Sequence, residues 1–156
     1  MIVRATWAAV GLLALVLVGA CSSSESPKTE RLARAPFKGL TEKNIRVGTT
    51  DLLVVVNDTE SERSQGLRGR RNLGGYDGML FEYPSFSTPT FTMSTVAVGL
   101  DVGFYDAQGK PVDRLAMTPC SGSEFDCPSY RSRRPHRYAL ETLSGDLPRG
   151  ALRLRG

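Results

Sequence analysis

The chain has 156 residues, 40% hydrophobic and 23% charged, with 20 Lys and Arg against 16 Asp and Glu, a formal net charge of +4. This length fits one domain of ordinary size, and the hydrophobic fraction suffices for a packed core. The positive charge is too small to indicate a nucleic-acid partner, because that class carries a much stronger basic surface.

The first twenty residues have the layout of a secretory signal peptide. A short head with one charge, Arg4, precedes an apolar run at residues 7–18, and small residues stand directly before Cys21. This run is shorter than the ~20 residues that a membrane-spanning helix needs. The residues around the cut resemble the lipobox of bacterial lipoproteins, whose cysteine becomes a diacylated N-terminus. An ordinary cleaved signal with a chance cysteine is the alternative.

We therefore expect residues 1–20 to be removed and Cys21 to carry fatty acyl chains such as palmitate. Two chains bury enough methylenes for stable anchoring. The predicted location is the outer face of the plasma membrane, or an outer membrane if the cell has one. Residues 21–44 are predicted to be the lipidated cysteine and a flexible tether, because prolines, serines and charges outnumber apolar residues there. As a coil, the tether would hold the domain about 25 Å from the lipid.

A single domain is predicted over residues 45–156. Thr59 and Glu62 have the spacing of a capping box, which predicts a short helix from residue 60 to about residue 67. The glycine-rich turn at residues 68–75 lacks the GK[ST] signature of a phosphate-binding loop. The predicted strands lie at residues 45–47, 52–56, 78–83, 91–93, 100–105, 112–117, 138–142 and 151–154.

The strand at residues 100–105 suggests a candidate ligand pocket. Its alternation places apolar side chains on one face and Asp101, Gly103 and Tyr105 on the other. A carboxylate and a phenol separated by a residue without a side chain leave room for a small polar recess, and we add Met93 to this candidate pocket. Asp101 is also the candidate base of a hydrolase, since a partly buried carboxylate can have a raised pKa. The alternative is that Asp101 fixes the fold by accepting hydrogen bonds from backbone amides or an arginine.

Cys120 and Cys127 are predicted to form a disulfide, because a cysteine pair outside the cytoplasm is usually oxidised. The bridge would pin the irregular segment at residues 118–137. A pair of reactive thiols is the alternative, and a cysteine nucleophile would need His136 as its base. The cysteine spacing and a lone histidine do not match a zinc site. We predict no metal and no cofactor.

Four arginines within seven residues, Arg131, Arg133, Arg134 and Arg137, form the densest basic segment. Arginine beside tyrosine also occurs in nucleic-acid readers, but an exported domain rarely meets nucleic acid. Anionic lipid headgroups or cell-wall polymers are the expected partners at this address. The alternative is a solvated surface on which arginine stems lie over tyrosines.

Six short motifs follow one another along the chain: Gln65-Gly66-Leu67, Gly78-Met79-Leu80-Phe81, Leu100-Asp101-Val102, Met117-Thr118-Pro119-Cys120, Cys127-Pro128-Ser129-Tyr130 and Tyr138-Ala139-Leu140-Glu141. In order and spacing, these motifs resemble the bacterial and archaeal family called domain of unknown function 192. The resemblance implies a small, compact, β-rich fold that is often exported, and it supplies no activity. Where many members have Phe-Trp-Met-Lys-Asn-Thr, this chain has Phe-Thr-Met-Ser-Thr-Val at residues 91–96.

We predict a β-rich α+β fold, a small compact mixed or antiparallel sheet or a barrel-like domain with one short helix. The predicted function is that of a lipid-anchored cell-envelope protein, most simply a non-catalytic binding or accessory module. An extracytoplasmic hydrolase with Asp101 as its base is the alternative. The sequence does not identify a protein partner.

Overall fold

The computed structural model describes residues 31–155, so the predicted signal peptide, Cys21 and the first part of the tether lie outside the described residues. The described part is rich in strands and has one short helix, which confirms the predicted fold class. No helix within it is long and apolar enough to cross a membrane. The elements are β1 (Arg31–Leu32), β2 (Thr41–Val47), β3 (Thr50–Asn57), α1 (Glu60–Gln65), β4 (Gly78–Ser87), β5 (Phe91–Thr92), β6 (Leu100–Tyr105), β7 (Pro111–Met117), β8 (Ser129–Tyr130), β9 (His136–Leu143) and β10 (Leu152–Leu154).

Eight of these strands form one open, mixed sheet in the order β1-β2-β3-β4-β9-β6-β7, with β10 also paired to β2. The sheet does not close into the barrel that the sequence left open as an option. Only β3 and β4 pair in parallel, and the other pairs are antiparallel. A parallel pair needs a long crossover, which here contains α1. The crossover places α1 and the turn after it beside the sheet.

Residues 31–44 belong to the folded domain, which begins earlier than the sequence predicted. Phe37 is 1% exposed and packs edge-on against the Tyr76 ring, with 5.8 Å between ring centroids. The backbone N–H of Arg34 donates to the Tyr76 hydroxyl at 2.7 Å. The predicted tether therefore overlaps the fold from residue 31 onward. The amino-acid composition did not indicate this overlap, because residues 31–39 are attached to the core by only two buried apolar side chains, Ala33 and Phe37.

The helix α1 begins as its sequence predicts. The backbone N–H of Glu62 donates to the Thr59 hydroxyl at 3.3 Å, and the Glu62 carboxylate accepts from the Thr59 N–H at 3.0 Å. This reciprocal pair is a capping box, which satisfies two amides that a helix start leaves unpaired. The helix ends at Gln65, slightly earlier than predicted, because Gly66 adopts a positive φ of 45°.

The strands β2 and β3 form one hairpin and β6 and β7 form another, and both turns pack against the C-terminal segment. The β2–β3 turn contains Gly48 and the β6–β7 turn contains Gly109, both with positive φ. A Cβ on Gly109 would stand 1.9 Å from the carbonyl oxygen of Leu152, and one on Gly48 would stand 2.2 Å from that of Arg149. Glycine is required at both turns because the C-terminal chain crosses directly over them.

The sheet has a hydrophobic cluster on each face, as alternating side chains require. One cluster lies around Ile45, Val54 and Leu140 and is closed by Leu147 and Leu152 from the C-terminal segment. The other lies around Met79, Val102 and Phe104. Segments between strands cover this second face: the turn after α1, the chain around Phe91 to Val96, and the β5–β8 pair. The largest cavity described below lies beneath this cover.

Candidate functional site

A cavity of about 550 Å³ lies between the sheet and the segments that cover it. Its inner wall is mainly apolar and comes from β4, β6 and the chain after β5. Its rim carries exposed residues from α1, the disulfide loop and β8. The inner wall includes Phe81, Phe91, Met93, Val96 and Leu100, and the rim includes Glu60, Ser64, Phe125 and Ser129.

The inner wall also contains one acid, Glu141 of β9. Its neighbours across the sheet are Met79 on β4 and Val102 on β6, both fully buried. Glu141 itself is only 6% exposed. Gly78 permits this close packing, since a Cβ there would stand 2.6 Å from the backbone oxygen of Glu141. The strand pairing thus holds a carboxyl group in an apolar wall.

No residue of the range 31–155 forms a hydrogen bond or an ion pair with the Glu141 carboxyl group. Burial raises its pKa to about 8, because charge is costly away from water. At neutral pH the group is therefore mostly a neutral acid. A carboxyl group with a strongly raised pKa in the wall of a cavity is a candidate functional residue.

The cavity lining also contains a phenol, Tyr83, and the guanidinium of Arg63. Burial raises the pKa of Tyr83, the charge of Arg63 opposes the rise, and the charge of Glu141 adds to it. The Arg63 guanidinium lies over the Tyr83 ring, 5.2 Å from its centroid. It also donates to the carbonyl oxygens of Asp58 and Glu82, the latter at 2.8 Å. These contacts hold Arg63 in place without bringing it to Glu141.

The disulfide loop forms one side of the mouth. Cys120 and Cys127 are bonded, with 5.9 Å between their Cα atoms, which confirms the predicted disulfide. Neither sulfur is therefore available as a nucleophile or for thiol redox chemistry. Glu124 of this loop pairs with Arg68, and Phe125 is 99% exposed beside the opening. The bridge holds a charged and an aromatic side chain at the mouth.

Asp101 is tied to the opposite side of the sheet from this cavity. Its carboxylate accepts from the backbone N–H of Gly145 at 3.1 Å and from the Arg114 guanidinium at 3.3 Å. Tyr105 shares that face, whereas Met93 lies in the cluster on the other face and lines the first cavity. The three residues of the predicted pocket thus do not converge.

The predicted polar recess beside Gly103 is partly filled. A Cβ on Gly103 would stand 2.8 Å from the Tyr105 hydroxyl and 3.2 Å from a methyl group of Leu147. Burial raises the pKa of Tyr105 to about 12, although Arg114 opposes the rise. A second cavity of about 420 Å³ lies over Gly103 and Tyr105, and Asp101 is outside its lining. Asp101 is therefore poorly placed to act on a molecule held there.

His136 is completely buried and packs between the rings of Tyr83 and Phe104, with centroid distances of 5.3 Å and 4.6 Å. The Ser132 hydroxyl donates its single proton to the carbonyl oxygen of Arg134 at 2.8 Å. The Nδ1–H of His136 must therefore donate to Ser132, at 2.9 Å. Burial lowers the pKa of His136, so the ring is neutral. Among residues 31–155 no three histidine, cysteine or acidic side chains converge as a metal site requires.

The basic segment follows the exposed edge of β7. Arg133 binds Asp113 through side-chain bonds at 2.9 and 3.1 Å and a backbone bond at 2.9 Å. The hydrogen bonds from Arg133 lower the pKa of Asp113 to about 2. Arg134 donates to the Val112 carbonyl at 3.1 Å, and Arg137 is half-buried. Arg131 and Arg134 are exposed, whereas Arg133 already has an acidic partner.

Sequence reasoning missed Glu141 as a site residue. The available signal was an acid in the middle of a predicted apolar strand, at residues 138–142. That signal is weak, because an alternating strand with one exposed face often carries an acid there. Only the covering segments, which are distant in sequence, turn this face into the wall of a cavity.

Two solved structures are similar to the chain. One is a Sinorhizobium meliloti 1021 protein described as a "putative transcription regulator", with 26% identity and a TM-score of 0.63, covering 75% of this chain and 95% of that one. The other is a protein of unknown function from Novosphingobium aromaticivorans DSM 12444, with 15% identity and a TM-score of 0.61, covering 83% and 94%. No curated protein matches the chain.

Residues 43–153 match the family described as "Uncharacterized ACR", the domain of unknown function 192. This match spans well over half of the chain, includes every element from β3 to β9 and reaches into β10. The chain therefore belongs to the domain of unknown function 192 family.

Proposed function

We propose that this protein is a lipid-anchored envelope module that binds a small, largely apolar molecule in the cavity lined by Glu141. The single observation that carries the proposal is an acid, 6% exposed, with no partner among residues 31–155, in the wall of a cavity of about 550 Å³. Ligand sites commonly combine apolar walls with a few polar groups at fixed positions. The volume is in the range of small-molecule sites.

The proposed lipid anchor is supported by the part of the sequence that precedes the folded domain. A signal layout ends directly before Cys21, and a cysteine at that position would carry the acyl chains. The disulfide between Cys120 and Cys127 is consistent with an oxidising compartment. We propose no nucleic-acid role, because a domain outside the cytoplasm does not meet DNA.

Exposed Arg131 and Arg134 support a second contact, with anionic headgroups of the same membrane. Each basic residue near an anionic surface contributes about 1 kcal/mol of attraction. Arg133 contributes less, because its charge is balanced by Asp113. In this proposal the arginines assist the lipid anchor, and the cavity does the binding.

The cavity is tested with Nile red, an uncharged apolar dye that fluoresces when it leaves water. We expect one dye per wild-type domain and loss of binding in Ser129→Trp, which places an indole at the rim. Ser121→Trp is the matched control, because Ser121 is exposed in the same region and outside the cavity lining. Equal dye binding by both tryptophan variants would reject the cavity as the binding site.

A further inference from the structure

The Glu141 carboxyl group has no bonding partner within residues 31–155, whereas that of an equally buried glutamate, Glu42, has two. Glu42 is also 6% exposed, but its carboxylate pairs with the Arg31 guanidinium at 2.8 Å and accepts from the Tyr76 hydroxyl at 2.6 Å. The fold thus satisfies one buried acid and leaves the other, within residues 31–155, facing a cavity without a partner. A group that makes no internal bond is free to bond to a ligand.

The cations of the cavity wall are already engaged elsewhere. Arg63 donates to two backbone carbonyls and stacks on Tyr83, and Arg68 pairs with Glu124 at the rim. Neither guanidinium forms an ion pair with Glu141. Within residues 31–155 no cation of the lining is left for this acid, so a bound cation would supply its positive partner.

The rest of the wall suits an organic cation with an apolar body. Phe81 and Phe91 pack edge-to-face at 5.5 Å, and Phe125 stands at the mouth. Aromatic faces attract ammonium groups through the ring quadrupole, by about 0.5 to 2 kcal/mol depending on desolvation. The Met93 side chain and neighbouring aliphatic residues would receive the hydrocarbon part.

Charge balance in the lining also favours a monocation. The cavity lining contains two arginines and three acids, Glu60, Glu124 and Glu141. While Glu141 keeps its proton, the formal charges cancel. If Glu141 loses its proton, one negative charge remains that a single ammonium group would neutralise. A ligand carboxylate would instead face a second acid in an apolar wall, which is unfavourable.

We propose that the cavity selects small primary amines with an apolar body, and that the ammonium group of the ligand replaces the proton of Glu141. This inference rests on the proposed function and names its ligand class. The exchange is balanced. The neutral carboxylic acid of Glu141 and the ammonium ion of the ligand are the reactants, and the products are a carboxylate–ammonium ion pair and one proton, which goes to the buffer. No bond other than the O–H bond of Glu141 breaks.

Proton exchange makes binding depend on pH in a defined way. With the pKa of Glu141 at about 8, the association constant should rise about tenfold per pH unit between pH 5.5 and 7.5, because one proton is released. Other titratable groups face the same space. They are Glu60 and Arg63 of α1, Arg68 of the next turn, Tyr83 of β4, Glu124 of the disulfide loop and, next to Tyr83, His136 of β9.

Benzylamine is the probe, with benzyl alcohol as its neutral analogue and benzoate as its anionic one. Calorimetry in buffers of different ionisation enthalpy measures both affinity and protons released. We expect benzylamine to bind at least tenfold more tightly than either analogue at pH 7.5, with about one proton released. Glu141→Gln should weaken benzylamine binding at least tenfold and remove the proton release. Glu42→Gln is the control and should leave both unchanged, because Glu42 is outside the cavity lining.

The outcomes separate this inference from the proposed function. Benzylamine affinity that is independent of pH, or unchanged in Glu141→Gln, overturns the amine assignment. Equal or tighter binding of benzyl alcohol or benzoate, and a failure of benzylamine to bind at all, overturn it as well. In each of these cases, binding of Nile red in the cavity would still support the proposed function as a binding module. If Nile red also fails to bind there, both proposals fall together.

Discussion

Two buried glutamates show that burial alone does not determine the state of an acid. Glu42 and Glu141 are equally inaccessible, yet Glu42 has a cation and a phenol as partners, whereas within residues 31–155 Glu141 has none. The difference comes from what lies opposite each side chain. Glu42 faces the N-terminal segment and Tyr76, and Glu141 faces a cavity. The unpartnered acid is the one expected to respond to pH.

Glu141→Gln should remove a loss of stability at alkaline pH. The folded-state pKa of about 8 lies above the ordinary value of 4.5. The contribution of the protonated Glu141 side chain to the free energy of unfolding is therefore fully present below pH 4.5 and is lost as the pH rises through about 8. At about 1.4 kcal/mol per pKa unit, wild type should lose several kcal/mol of unfolding free energy across this window relative to the variant. Urea unfolding at pH 5 and pH 8.5 measures the difference.

Glu42→Gln provides the comparison for that experiment. It weakens charge-assisted hydrogen bonds, so we expect a loss of about 1 to 2 kcal/mol in unfolding free energy. Opposite signs for the two substitutions at pH 8.5 would confirm the different environments. If Glu141→Gln has the same pH dependence as wild type, then Glu141 is ionised or partnered in the folded protein.

Asp101→Asn should reduce stability and leave the first cavity unaffected. The substitution removes the ion pair with Arg114 and weakens the bond from the Gly145 amide, so a loss of about 1 to 3 kcal/mol is expected. Thermal unfolding and Nile red titration of the same variant measure the two properties. A normally stable Asp101→Asn protein that lost a measurable activity would instead favour the hydrolase alternative.

At the scale of elements, the disulfide loop links stability to the cavity mouth. The bridge spans a sequence separation of 7, which removes unfolded-state entropy worth about 2.5 kcal/mol in the chain-entropy account. The double variant Cys120→Ser/Cys127→Ser should unfold more easily by about that amount. It should also bind Nile red less tightly, because Glu124 and Phe125 are no longer held at the rim.

Reduction of the wild-type protein supplies the matched control. It breaks the same bridge without changing the sequence, so it should reproduce the stability and the dye affinity of the double variant. Dye binding that survives both treatments unchanged would show that the rim does not depend on the bridge.

Elements formed by neighbouring residues were predictable from the sequence. The capping box of Thr59 and Glu62 needs only four residues, and the two hairpins need short turns with glycine. The packing of residues 31–39 was not predictable, because the partner of Phe37 is Tyr76, far along the chain. Local patterns contain no information on which distant side chain will complete a core.

The site itself was the least predictable part. Asp101 attracted attention because it interrupts an apolar strand, and the structure shows it bound to Arg114 and Gly145. Glu141 interrupts another strand in the same way, yet its surroundings differ completely. Whether such an acid meets an arginine or a cavity depends on how loops from other parts of the chain cover the sheet.

For the whole molecule, the expected anchor makes a direct prediction. Wild type expressed in a bacterium should enter the detergent-rich phase on partitioning and carry acyl chains by mass spectrometry. Cys21→Ser should remain in the aqueous phase. The Cys120→Ser/Cys127→Ser protein keeps Cys21 and should partition like wild type. An unmodified Cys21 in exported wild type would contradict the anchor.

Because the fold begins early in the chain, the folded domain can lie only a limited distance from a lipid anchor at Cys21. Because β1 begins at Arg31, only residues 22–30 separate Cys21 from the first paired strand. Even a fully extended chain of that length covers at most about 35 Å. With so short a linker, the folded domain of a lipidated protein would stay in the layer next to the headgroups. Molecules deeper in the envelope would have to diffuse to it.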